Sequence, residues 1–215
     1  MACARVGRDP SEVTLVAVTK TVPPERVRAA VAAGFTTLGE NRVQEAAPKI
    51  AALAGEPVRW HLIGPLQSNK VGRAVALFDV VETVDSLALA RRLDRLAGER
   101  GRDAVPVLLE VNVDADPAKA GYDVAQVAAD LPELVALPRL CVLGLMTVGR
   151  VVSRPDEARP TFRRLRELSE RLRTRAPRLG AALSMGMSDD FEVAIEEGAT
   201  IVRLGRAIFG ERPAG

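Results

Sequence analysis

Eight short apolar runs, separated by helix-length amphipathic segments, constrain this chain more than any other feature. They are Leu15–Lys20, Thr37–Gly39, Val58–Ile63, Asp79–Val84, Val105–Val111, Leu140–Met146, Ala181–Ser184 and Thr200–Leu204. Runs this short, rich in β-branched residues and bounded by Gly, Pro or Asp, read as buried strands. Between them the spacing predicts helices. The first opens at Pro23-Pro24-Glu25 and runs to about Ala33, with Gly34 as its stop. Val43–Leu53, Asn69–Leu77, Asp123–Leu134, Asp156–Arg173 and Asp189–Glu197 follow the same logic. Asp85-Ser86 caps a long helix to Arg100, with Leu87, Ala90, Leu93 and Ala97 at helical spacing. Met1–Gly7 reads as the tail of a shortened N-terminal helix. No helix is expected after the eighth strand, so that N-terminal helix is expected to cover its side.

Strands alternating with helices imply an α/β fold with a parallel sheet, and eight is the number that closes a (β/α)8 TIM barrel. No G-x-G-x-x-G follows the first strand, which argues against an open dinucleotide-binding sheet. The 215 residues are expected to form one barrel domain spanning 1–215. Lys+Arg number 30 and Asp+Glu 28, interspersed and without a basic block that interleaves aromatics, so nucleic acid is not an expected partner. Cys3 and Cys141 are far apart and lack metal-ligand spacing, which suits a reducing compartment. There is no run of eighteen apolar residues and no signal-peptide core, so the expectation is a soluble cytoplasmic protein with no membrane partner.

In such a barrel the chemistry sits at the C-terminal ends of the strands. Those ends carry Lys20, Asn41, Ser184 to Ser188, and Arg203 to Arg206. This set suits an anionic ligand bearing an aldehyde and lacks the carboxylate or histidine cluster of a metal site. Partial burial of Lys20 would lower its pKa and leave an amine able to attack a carbonyl; the alternative is a strand-end lysine reaching solvent. Lysines are scarce, only Lys20, Lys49, Lys70 and Lys119, so a plain positive charge was usually supplied by arginine. Ser184 is assigned to a phosphate and Ser188 to capping the next helix. Gly205 lets the backbone amides of Gly205 and Arg206 approach a ligand, and strand alternation lets Arg203 face the mouth; the alternative is a surface arginine in an arginine-rich chain. Asn41 could serve a ligand or cap the following helix. His61, alone in an apolar strand, reads as a hydrogen-bonded core residue.

Taken together, the stretches Val16–Lys20, Leu38–Glu45, Trp60–Lys70, Gly144–Thr147, Leu183–Asp190 and Val202–Gly210 strongly resemble the YggS/PROSC family of pyridoxal phosphate homeostasis proteins. The resemblance implies a fold-type III barrel like the N-terminal domain of alanine racemase. Pyridoxal 5′-phosphate (PLP) would be a Schiff base on Lys20, with Ser184 and the Gly205-Arg206 backbone on its phosphate. Arg203 would face the pyridine nitrogen, and Asn41 would line the pocket. The chain departs from the family pattern in its short N-terminal helix, in Val22 where many relatives have a second lysine, and in Arg206 where threonine is common. The implied role is storage, buffering or delivery of PLP, with PLP-dependent apoenzymes as recipients and a monomeric state. An arginine at the ring nitrogen makes a weak electron sink, and the one tyrosine, Tyr122, lies in a loop, so no second base is evident. The alternative is a low-activity enzyme of the same fold type, such as an amino-acid racemase.

Overall fold

A computed structural model describes residues 2–210. The strands are β1 (Thr14–Val18), β2 (Thr37–Glu40), β3 (Arg59–Leu62), β4 (Val80–Val84), β5 (Val105–Glu110), β6 (Leu140–Met146), β7 (Ala182–Ser184) and β8 (Ile201–Leu204). Each pairs in parallel with the next in chain order, and β8 returns to β1, closing the barrel. The helices are α1 (Ala2–Arg5), α2 (Pro24–Ala32), α3 (Val43–Ala52), α4 (Val71–Leu77), α5 (Leu87–Glu99), α6 (Val124–Leu134), α7 (Arg159–Arg175), α8 (Phe191–Glu196) and α9 (Arg206–Phe209). The expected (β/α)8 barrel is the fold observed.

Local chemistry places these elements. Ser86 Oγ accepts the Leu89 N–H at 3.3 Å and opens α5, which buries Leu89, Ala90, Leu93 and Ala97 as one stripe. Asp123 Oδ1 does the same for α6, accepting from Ala125 at 2.7 Å and Gln126 at 3.3 Å. The large apolar layer lies between strands and helices, while inside the barrel only a small plug is apolar: Val16, Leu108, Met146 and Ile201. Side chains alternate along a strand, so one step toward the mouth from Leu108, Ala182 and Ile201 come Glu110, Ser184 and Arg203. All three are buried, as are Glu82 and His61. The barrel therefore has an apolar floor and a polar, enclosed upper layer.

Three expectations are corrected. The first strand ends at Val18, and Lys20 stands in the turn beyond it, because Thr21 takes a positive φ of 64° and reverses the chain. A helix does follow the eighth strand: Arg206–Phe209 forms the single turn α9, with the N–H of Phe209 returning to Gly205 at 2.9 Å. The helix expected from Asp189 begins at Phe191.

The N-terminal segment packs on α8. Arg5 pairs with Glu192 and Glu196, each at 2.7 Å. Arg8 donates from Nη1 to the carbonyls of Ile195 at 3.0 Å and Ala199 at 2.8 Å, tying the segment ahead of β1 to the turn that enters β8. Cutting Arg8 back takes the donor from the Ala199 carbonyl and one of the donors from the Ile195 carbonyl, which keeps the Gly198 N–H at 3.0 Å. Arg8→Ala is expected to lower unfolding free energy by about 1–3 kcal/mol, measured by urea denaturation, whereas exposed Arg95→Ala shifts it by under about 0.5 kcal/mol.

Candidate functional site

A cavity of about 230 Å³ opens at the C-terminal end of the barrel, and Lys20, Asn41, Ser188, Arg203, Gly205 and Arg206 all line it. Five of the six residues expected at the site therefore meet there: Lys20, Asn41, Arg203, Gly205 and Arg206. Ser184 is the exception, and Ser188 stands in the lining instead.

Lys20 is held by the turn it sits on. Lys49 of α3 donates from Nζ to the Thr19 carbonyl at 2.6 Å and to Glu40 Oε1 at 2.7 Å. Thr19 Oγ1 donates to the same Glu40 oxygen at 2.6 Å. Lys49 and Glu40 are buried, so the clamp operates where charge pairing is strong and where losing one partner costs about 3–5 kcal/mol. The residue before Lys20 is thus fixed through both its carbonyl and its side chain. Sequence reading missed this use of Lys49, although the scarcity of lysine was a signal.

Arg203 sits at one end of a buried chain of polar groups. Its Nη1 donates to Ser184 Oγ at 2.6 Å and its Nη2 to the Thr147 carbonyl at 2.8 Å. Ser184 Oγ donates to Glu82 Oε2 at 2.5 Å, and His61 Nδ1 lies 2.5 Å from Glu82 Oε1. Burial pushes the Glu82 carboxyl up, but the His61 hydrogen bond and the charges of His61 and Arg203 outweigh it and hold it below its usual range. Burial lowers Arg203, opposed by the charges of Glu82, Glu110 and Asp190. His61 is the hydrogen-bonded core residue expected. The clue to Glu82 was an acid between valines and a threonine in a buried strand.

Neither serine takes the place expected of it. Ser184 is fully buried and committed to Glu82 and Arg203. Ser188 does not cap α8; its Oγ accepts the N–H groups of Gly205 and Ala207, each at 3.3 Å. Gly186, at a φ of +92°, turns the chain so that Ser188 reaches the end of β8. Asp190 serves the local turn, its Oδ1 accepting the Met187 N–H at 2.7 Å. A Cβ on Gly205 would meet only Val18, at 3.6 Å, so the space in front of this backbone is open. The Arg206 guanidinium pairs with Asp189 at the rim.

Asn41 makes no side-chain cap to α3, whose N-cap is Arg42. Its backbone is pressed against Gly64, where a Cβ would lie 2.3 Å from the Asn41 carbonyl oxygen, so only glycine permits this approach. Tyr122 lies in the outer apolar layer with its hydroxyl buried and unpartnered, and burial pushes the phenol up.

Glu110, on β5 in the polar layer, is pushed up to about 7 by burial and the neighbouring charge of Asp85, against the pull of Arg203. A carboxyl that is harder to ionise folded than unfolded holds more protons in the native state, so its contribution to stability falls as pH rises from about 4.5 to about 7. Glu110→Gln is expected to remove that fall. The difference in unfolding free energy between wild type and variant should change by roughly 2–3 kcal/mol between about pH 4.5 and 8, in the sense that the variant gains at high pH. Urea titrations at the two pH values check it; a difference that does not vary with pH contradicts it.

Comparison with known proteins places the fold. Residues 4–213 match the family model of the alanine racemase N-terminal domain. The pyridoxal phosphate homeostasis protein of Aquifex aeolicus is 42% identical over 98% of this chain and 92% of its own length. That of Pseudomonas aeruginosa is 43% identical over 100% and 91%. PipY of Synechococcus elongatus, solved with PLP bound, superposes with a TM-score of 0.88 at 44% identity, covering 97% of each chain. Alanine racemase of Clostridium difficile shares the fold alone, with a TM-score of 0.77 at 14% identity over 99% of this chain and 58% of its own. With a closed barrel, a matching family model and full-length relatives above 40% identity, the chain belongs to the alanine racemase N-terminal-domain family, among the pyridoxal phosphate homeostasis proteins.

Proposed function

We propose that this protein binds pyridoxal 5′-phosphate and acts in PLP homeostasis by storing, buffering or delivering the cofactor. The observation that carries the reading is a single cavity lined by an amine, a buried guanidinium and an open backbone cradle with a hydroxyl beside it. The residues fit the group. Gly205 leaves room for an anion beside this backbone, and Ser188, whose Oγ accepts the Gly205 N–H, would offer its hydroxyl proton there. This moves the phosphate contact from Ser184 to Ser188. Arg203 would face the ring nitrogen and Asn41 would line the ring pocket.

When bound, the cofactor supplies a reactive aldehyde. Lys20 would hold it through its amine, the nucleophile that suits such an aldehyde. The clamp on Thr19 keeps the amine over the cavity. Arg203, with its positive charge, does not protonate the ring nitrogen, and Tyr122 is buried in the outer layer, so the chain is arranged for holding the cofactor. A racemase would need a second acid–base group facing Lys20. The protein works as one barrel domain over 1–215, monomeric and cytoplasmic, with PLP-dependent apoenzymes as recipients. Among the described residues no helix is long and apolar enough to cross a membrane.

Titrating the apoprotein with PLP tests this. The wild type is expected to develop a visible band with a dissociation constant that Gly205→Ala weakens about tenfold or more, a loss of about 1.4 kcal/mol. The variant's melting temperature should stay unchanged, because the added methyl meets only ordinary contacts in the protein. Lys20→Ala should abolish the band. Equal affinity in wild type and Gly205→Ala would place the phosphate elsewhere.

A further inference from the structure

We propose that Glu82, acting through Ser184, orients Arg203 and balances its charge, so that the guanidinium meets the cofactor's uncharged ring nitrogen as a preset donor. The inference rests on the proposed placement of the ring over Arg203 and assigns a role to Glu82 that the cofactor pocket by itself does not reveal. Glu82 does not line the cavity; it is a positioning residue.

The protons available fix the direction of the hydrogen bonds. A serine hydroxyl has one proton to give and lone pairs to accept with. Ser184 Oγ stands 2.5 Å from Glu82 Oε2 and 2.6 Å from Arg203 Nη1. The guanidinium can only donate, and an ionised carboxylate can only accept. The hydroxyl proton therefore points to Glu82 and the lone pairs to Arg203. The direction of the chain is set by the carboxylate. His61 holds the other carboxylate oxygen through Nδ1 at 2.5 Å, which keeps Glu82 from turning away. Arg203 is then pinned from two sides, by Ser184 on β7 and by the Thr147 carbonyl just past β6 at 2.8 Å. Two of its five N–H donors are used, and Arg203 lines the cavity, so donors remain that a ligand there would meet.

Charge makes the same point. Neither direct partner of Arg203 is an anion: one is a hydroxyl, the other a carbonyl. A buried cation with only neutral partners would draw the most negative part of a ligand, its phosphate, to the wrong end of the pocket. Glu82, fully buried one hydroxyl away, supplies the missing negative charge within the protein. Glu110 and Asp190 also face Arg203, but Asp190 is engaged by the Met187 N–H at 2.7 Å and Glu110 is joined to Arg203 by no hydrogen bond among the described residues. Glu82 alone is connected to it.

The test uses the full chain reconstituted with PLP and reads two quantities: the dissociation constant, and the pH midpoint at which the bound cofactor's visible band titrates. Glu82→Gln preserves shape but can offer an N–H to Ser184, reversing or breaking the chain. Ser184→Ala leaves every charge in place and carries the same test without altering a buried charge. Both are expected to weaken PLP about tenfold and to move the midpoint in the same direction as Arg203→Met. Adding Glu82→Gln to Arg203→Met should cause no further change, since the two act as one unit. If both variants only lower the melting temperature, with affinity and midpoint as in wild type while Arg203→Met alters them, the chain is merely structural and the proposal falls. If Arg203→Met also leaves both quantities unchanged while Lys20→Ala abolishes the band, the ring does not lie over Arg203, and the proposal falls with that placement rather than with the relay.

Discussion

A guanidinium, a carboxylate and an imidazole share the enclosed upper half of this barrel, and none of them can be left there without a partner. Burying an unpaired charge is far more costly than the few kcal/mol by which a domain is stable. The chain from His61 through Glu82 and Ser184 to Arg203 satisfies that requirement using side chains from β3, β4, β7 and β8. These strands are brought together only when β8 closes on β1. Pairing and closure therefore depend on each other: the network exists only in the closed barrel, and it ties opposite walls of the barrel together. The apolar plug beneath it, Val16, Leu108, Met146 and Ile201, carries the ordinary packing and separates the polar layer from the far end.

The reactive end of the pocket is organised by a separate device of the same kind. The Lys49–Glu40 pair lies at the β1–β2 side, outside the His61–Arg203 chain, and fixes Thr19 next to Lys20. One buried ion pair places the amine and a second buried network places the guanidinium. Between them lies the open backbone at Gly205, where the only close neighbour of an added methyl would be Val18. Rigid walls and a backbone that a ligand can approach are what a holder of a small phosphorylated aldehyde needs, since tight binding comes from groups already in position. The exposed Arg206–Asp189 pair at the rim contributes little by comparison.

The barrel was legible because its signal is repeated: eight β-branched runs with helix-length segments between them leave few alternatives. Boundaries were less legible. Thr19 and Lys20 continue the apolar run in sequence, yet Thr21's positive φ ends the strand at Val18, a conformation that no residue type there announces. Lys20, Asn41, Arg203, Gly205 and Arg206 were readable because each follows a strand end, where this fold displays its side chains. The serines were not. Ser184 and Ser188 are four residues apart on a turn whose course is set by Gly186, and only the folded path shows which one reaches β8. The roles of Glu82 and Lys49 were hidden for a different reason: each acts across the barrel or from a neighbouring element, at sequence separations that periodicity does not report.

The most direct measurement of the central claim is borohydride reduction of the protein loaded with PLP, followed by protease digestion and mass mapping. The account predicts the mass of the reduced cofactor on the peptide containing Lys20 and on none of those containing Lys49, Lys70 or Lys119. A reduced cofactor found on another lysine, or a protein that takes up no cofactor at all, would contradict it.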